Sequence, residues 1–224
     1  MRFLITAALG TVLVLAASAP ALADAAAGKA AFEVQKCGDC HYTQGPAREK
    51  TIDDQMAKKG PELWYAGSKF QKKWLAKWLT DPKPIRPLKF NSLTDDNPGD
   101  HPKLAGGDAK SVTDFLMTLT SADVKAGAVK PKKNPKGKLI FTKKMPCGGC
   151  HEYPGRKKVT GGRSGPSLVD AGKRLNPDWI LAYLQKPKVF KPVKMMPVFV
   201  GLLSDKDMKN VAAYVAKFKA KKKK

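Results

Sequence analysis

All four cysteines of this chain fall in two Cys-x-x-Cys-His units, Cys37-Gly38-Asp39-Cys40-His41 and Cys147-Gly148-Gly149-Cys150-His151. Two thiols three positions apart can add across the two vinyl groups of one haem. The histidine that follows then meets the iron from the same side, which is the spacing of c-type haem attachment. Disulfides, thioredoxin-like redox pairs and zinc sites also use such cysteines, but none requires a histidine after both pairs. A zinc ribbon would bring its pairs within about 15 to 20 residues, whereas half the protein separates Cys40 from Cys147. The expectation is two covalent haem c groups, on Cys37 and Cys40 and on Cys147 and Cys150, with His41 and His151 as iron ligands.

The elements that must position these residues are written twice. At an offset of 105 positions Gly60-Pro61 falls on Gly165-Pro166, Leu63 on Leu168, Ala66-Gly67 on Ala171-Gly172 and Lys69 on Arg174. The match continues with Trp74 on Trp179, Trp78 on Tyr183, Leu79 on Leu184, Pro82 on Pro187 and Pro87 on Pro192. Upstream, Gly28-Lys29-Ala30-Ala31-Phe32 and Gly137-Lys138-Leu139-Ile140-Phe141 each open a helical pattern into a haem motif. Self-similarity of this kind marks one structural unit used twice.

Each unit reads as helical. Phe70, Trp74, Leu75 and Trp78 recur at helical spacing, as do Trp179, Ile180, Tyr183 and Leu184. Ser204, with Asp205 after it, is a good N-cap for a last helix carrying Met208, Val211, Ala212 and Val215 on one face; Asp108 to Leu119, with Val112, Phe115 and Leu116 inward, is its counterpart. No strand pattern of comparable length is present. The fold class expected is all-α, with an N-terminal unit over 24–120, a Lys/Pro/Gly-rich linker over 121–136, a C-terminal unit over 137–220 and a basic tail at 221–224.

Before the first unit stand Met1-Arg2, an apolar run from Phe3 to Ala17 and Ala21-Leu22-Ala23. This is the grammar of a secretory signal over 1–23, cleaved after Ala23, so a periplasmic location is expected. Lysine and arginine total 42 against 19 acids, a formal charge of +23. That excess favours fast, salt-sensitive encounter with acidic redox proteins or an anionic membrane surface. Nucleic acid, the other partner of basic chains, is not expected, because no nucleic-acid motif accompanies the charge.

With these motifs the sequence resembles the class I c-type cytochromes, and the doubling resembles their tandem dihaem members. The resemblance implies that the carbonyls of Pro61 and Pro166 accept from the proximal histidines, a contact that fixes ring orientation and ligand basicity. It also implies that Trp74 and Trp179 lie near haem propionates, although both are equally well read as core tryptophans. Met196-Pro197, shortly before the last helix, matches the distal methionine, with Met195 as the alternative. In the first unit the corresponding place holds His101-Pro102, reached after an expansion that contains Asp95, Asp96 and Asp100. Two of the three histidines already belong to haem motifs, so His101 is the candidate second ligand of haem 1; the alternatives make it a surface-loop histidine, with Met56, Met117 or a lysine on the iron or the site open.

A haem with both axial positions filled offers no place for a substrate, so an electron carrier is expected rather than an enzyme. Methionine ligation raises a haem potential, so electrons are expected to pass from haem 1 to haem 2. Two other readings stay open. One is the cytochrome subunit of a periplasmic dehydrogenase, docked through the acidic expansion; the other is a haem enzyme in which His101 leaves the first iron.

Overall fold

The computed structural model describes residues 19–193 and 196–220. Residues 1–18 of the expected signal over 1–23, the alternative ligand Met195 and the tail 221–224 lie outside the described residues. Ten α-helical segments follow in chain order: α1 (Ala19–Val34), α2 (Ile52–Met56), α3 (Ala66–Lys69), α4 (Lys72–Thr80), α5 (Gly106–Thr118), α6 (Pro135–Leu139), α7 (Ala171–Arg174), α8 (Pro177–Gln185), α9 (Pro187–Phe190) and α10 (Asp205–Val215). Both haem motifs begin as single 3-10 turns, Cys37–Asp39 and Cys147–Gly149. A two-stranded hairpin pairing Tyr153 with Thr160 and Pro154 with Val159 is the one sheet among the described residues.

Local chemistry sets the helix starts. Ser204 Oγ accepts from the Asp207 amide at 3.2 Å, with Asp205 and Asp207 in the first turn of α10. Asn134 Oδ1 accepts from the Gly137 amide at 2.8 Å, and Asn176 Oδ1 from the Asp178 amide at 3.0 Å; each cap is followed by proline at the first helical position. After Leu139 the α6 helix widens into a π turn over Ile140–Lys144 that delivers the chain to Cys147.

The two units share one packing scheme. The helix before the motif crosses the last helix of its unit, α1 on α5 and α6 on α10. Both crossings need glycine. A Cβ on Gly28 would lie 1.9 Å from the Ser111 carbonyl oxygen, and one on Gly137 would lie 2.2 Å from that of Asn210. The first core gathers Phe32, Leu75, Leu79, Leu104, Val112 and Leu116. The second gathers Ile140, Phe141, Trp179, Met208, Val211 and Phe218 among others, and it also takes in Tyr65 from the first unit.

The units meet about a local two-fold. Phe70 and Leu175, equivalent in the repeat, form an antiparallel bridge with each other. The Gln71 amide donates to the Arg174 carbonyl at 2.9 Å and the Asn176 amide to the Lys69 carbonyl at 2.8 Å, which are the same bond under the repeat. Reciprocal contact between equivalent residues is the signature of an isologous dimer contact, here within one chain. The segment after Thr120 is well tied. The Ser121 amide donates to Ser68 Oγ at 2.9 Å, the Asp178 carboxylate accepts from the amides of Gly127 and Val129 at 2.8 and 2.7 Å, and Val129 is buried.

Candidate haem-binding sites

In the first unit α1 delivers Cys37, the 3-10 turn carries Cys37 and Cys40, and His41 follows with its amide donating to the Cys37 carbonyl at 3.0 Å. The loop that closes over the ring is Gly60-Pro61. His41 Nδ1 donates to the Pro61 carbonyl at 2.6 Å, and Gly60 lies so close that a Cβ there would be 2.8 Å from His41 Cε1. The second unit repeats this. His151 Nδ1 donates to the Pro166 carbonyl at 2.7 Å, and a Cβ on Gly165 would be 2.6 Å from His151 Cε1. The third histidine follows the same rule, since His101 Nδ1 donates to the Pro102 carbonyl at 2.9 Å. In all three, the Nδ1 hydrogen bond leaves Nε2 as the nitrogen for a metal.

Burial lowers the pKa of His41 and of His151, outweighing the prolyl carbonyls that oppose it, so both rings are held toward the neutral form that binds metal. Burial also raises the Cys37 thiol and pushes Cys147 up to about 11.

His101 faces the first motif. Its ring centre stands 6.2 Å from that of His41, at an interplanar angle of 40°, and 4.7 Å from Trp78. Phe70, just before α4, and Trp74 and Trp78 on it stack in series at 5.6 and 5.7 Å, which places His101 at the end of an aromatic ladder. The expansion that carries His101 is strapped down. Asn91 donates to the Gln55 carbonyl at 2.7 Å, the Leu104 amide to the Leu79 carbonyl at 2.9 Å, and Asp96 pairs with Arg163 of the second unit at 2.6 Å. Asp96 is therefore engaged within the molecule. In the second unit Met196 is partly buried against the core that contains Trp179 and Phe199.

The tryptophans meet cations across the local two-fold. Lys69 Nζ lies 5.1 Å from the centre of Trp179, and its repeat equivalent Arg174 lies 6.0 Å from the centre of Trp74. Arg174 is 6% exposed and donates to the Ser167 carbonyl at 2.5 Å, with Asp170 acting on it through space rather than in an ion pair. Trp179 Nε1 is likewise a buried donor with no acceptor among them. Burial, then repulsion from Lys191, brings Lys69 down to about 7. Imidazoles held toward the neutral form, exposed Cys40 and Cys150, a buried arginine, a half-buried lysine and a buried indole donor form a set that fits haem c, with its iron, vinyl and propionate groups.

One cluster was invisible to motif reading. Glu62, directly after Pro61, is fully buried; it accepts from Tyr65 Oη at 2.6 Å and pairs with Lys58 at 2.5 Å and Lys191 at 2.6 Å. Lys58 also pairs with Glu49. Burial alone would raise the Glu62 carboxyl, but Lys191 and Lys58 overrule it and hold it at about 2. The only trace in the sequence is that the repeat has Ser167 where the first unit has Glu62.

The helices around Cys147, Cys150 and His151 are closed by the Gly165-Pro166 loop. Residues 133–215 match the family described as cytochrome c oxidase, cbb3-type, subunit III. The match marks this region as a class I c-type cytochrome, a class that holds haem c covalently, transfers electrons and usually works outside the cytoplasm. No curated protein and no solved structure gives a significant match. Among the described residues no helix is long and apolar enough to cross a membrane.

Proposed function

We propose that the chain is a periplasmic dihaem cytochrome c, with two tandem domains that pass electrons by outer-sphere transfer from haem 1 to haem 2. The observation that carries this reading is the repeated closure of Gly-Pro over the motif histidine, at 2.6 Å in one unit and 2.7 Å in the other. A structure that makes the same ligand-orienting contact twice supports two sites of one kind. Haem so held supplies reversible one-electron chemistry at its iron.

The chain's own residues then have distinct tasks. Cys37 and Cys40, and Cys147 and Cys150, anchor the two groups, and Pro61 and Pro166 orient His41 and His151. His101 is the second ligand of haem 1. Two imidazoles bound through nitrogens about 2 Å from one metal ion have ring centres about 6 Å apart, and the separation of 6.2 Å supports that role. Met196 is the second ligand of haem 2. Lys69 and Arg174, with Trp74 and Trp179, face the propionates.

A surface beside Met196 supports a protein partner. Val198, Val200 and Leu202 are exposed, and the first two line a shallow apolar depression with Pro187 and Val189, rimmed by Lys186 and Lys188. An acidic redox protein with an apolar centre fits that surface, whether as a transient partner or as a dehydrogenase that retains the cytochrome. Co-purification of a second polypeptide would decide for the dehydrogenase. Haem counted per chain, together with electron paramagnetic resonance of the oxidised protein, tests the whole reading. Two haems, one bis-histidine and one histidine-methionine, are expected; one haem per chain would overturn it.

A further inference from the structure

The loops that carry Pro61 and Pro166 are each held by a basic side chain from the opposite unit. Lys191, in the arm after α9, reaches Glu62 with Nζ 2.6 Å from Oε1. Arg86, in the arm after α4, donates to the Ser164 carbonyl at 2.6 Å, just before Gly165-Pro166, and the Ser167 amide donates to the neighbouring Ile85 carbonyl at 2.8 Å. Lys191 and Arg86 are equivalent in the repeat, as are Glu62 and Ser167. The exchange is therefore reciprocal in position but unequal in chemistry. The arm from the second unit brings a cation to a buried carboxylate, and the arm from the first brings one to a carbonyl.

We infer that Lys191 and Arg86 are positioning residues that act in trans, Lys191 setting the ligand loop of haem 1 and Arg86 that of haem 2, so that each domain tunes the other's haem. This rests on the two-haem reading. The route is short. Glu62 follows Pro61, whose carbonyl holds His41 Nδ1, and the field of Glu62 reaches His41. The field of Arg86 reaches His151 in the same way. Charges in such low-dielectric surroundings act strongly on a nearby redox centre. Removing Lys191 leaves Glu62 with Lys58 alone, adds net negative charge beside haem 1 and favours its oxidised form. Removing Arg86 takes a positive charge from beside haem 2, with the same sign of effect there.

The test is a redox titration of the holoprotein, with the two haems told apart by their paramagnetic resonance signals. K191M should lower the potential of haem 1 and leave haem 2 in place; R86M should lower that of haem 2 and leave haem 1. K191R should stay near the wild-type values, and K191M/E62Q should bring haem 1 back toward them. E62Q alone should raise haem 1, which keeps the test available if K191M does not accumulate. Shifts on the haem of the mutated residue's own unit, equal shifts on both, or none in a folded protein with two haems would overturn the inference while leaving the dihaem reading intact. A single haem per chain would overturn the dihaem reading itself.

Discussion

At the scale of single residues, what could be read from the chain is what covalent chemistry fixes locally. Attachment to two vinyl groups dictates the Cys-x-x-Cys-His spacing, and the repeated Gly-Pro pairs mark the loops that lie against the two histidine rings, Gly60-Pro61 and Gly165-Pro166. Glu62 was not legible, because its burial becomes tolerable only through Lys191, a residue from the far end of the chain. Its titration gives a prediction. Glu62 is held at about 2 in the fold against 4.5 when free. A depressed carboxyl contributes stability that is complete above about pH 4.5 and is lost as the pH falls toward 2. Thermal unfolding followed across that window should show the loss, and E62Q should flatten it. His101 gives another. H101A should remove the bis-histidine signal and open the first iron to carbon monoxide, seen in the visible spectrum of the reduced protein. Unchanged spectra would return the choice of ligand to Met56, Met117 or a lysine.

At the scale of elements, hydrophobic period placed the long helices. The faces read for α4, α5, α8 and α10 are those that the structure buries, through Leu75, Val112, Ile180 and Met208. The single-turn helices α3, α7 and α9 and the π turn before Cys147 left no such trace, since four or five residues do not complete a pattern. The short hairpin after His151 also departs from the purely helical reading. Helix crossings supply a paired prediction. G137A drives a methyl group into the Asn210 backbone and should cost at least about 1–3 kcal/mol by denaturant unfolding. G107A, near the start of α5 with open space around it, should be neutral or gain up to about 1 kcal/mol.

At the scale of the whole molecule, the repeat was legible but the way its copies embrace was not, because nothing in either half encodes contact with the other as a periodic signal. Phe190 is fully buried and lies 5.0 Å from Tyr65 and 6.1 Å from Trp64, both in the first unit. F190A should cost about 3–5 kcal/mol; by calorimetry the parent protein should unfold in one transition and the variant in two. The charge of +23 belongs to this scale as well. The second-order rate of reduction by an acidic partner should fall steeply as salt shortens the reach of the charges, measurable by stopped flow. The exchanged arms also bear on how the chain comes into being. Residues 62 and 65 precede residues 190 and 191 by more than half the sequence, so in a chain delivered N-terminus first to the place where it folds, the first unit carries an uncovered tyrosine and a carboxylate short of one partner until those residues follow. Its contacts are complete only when the last sixth of the polypeptide arrives, which makes the N-terminal half the one that waits.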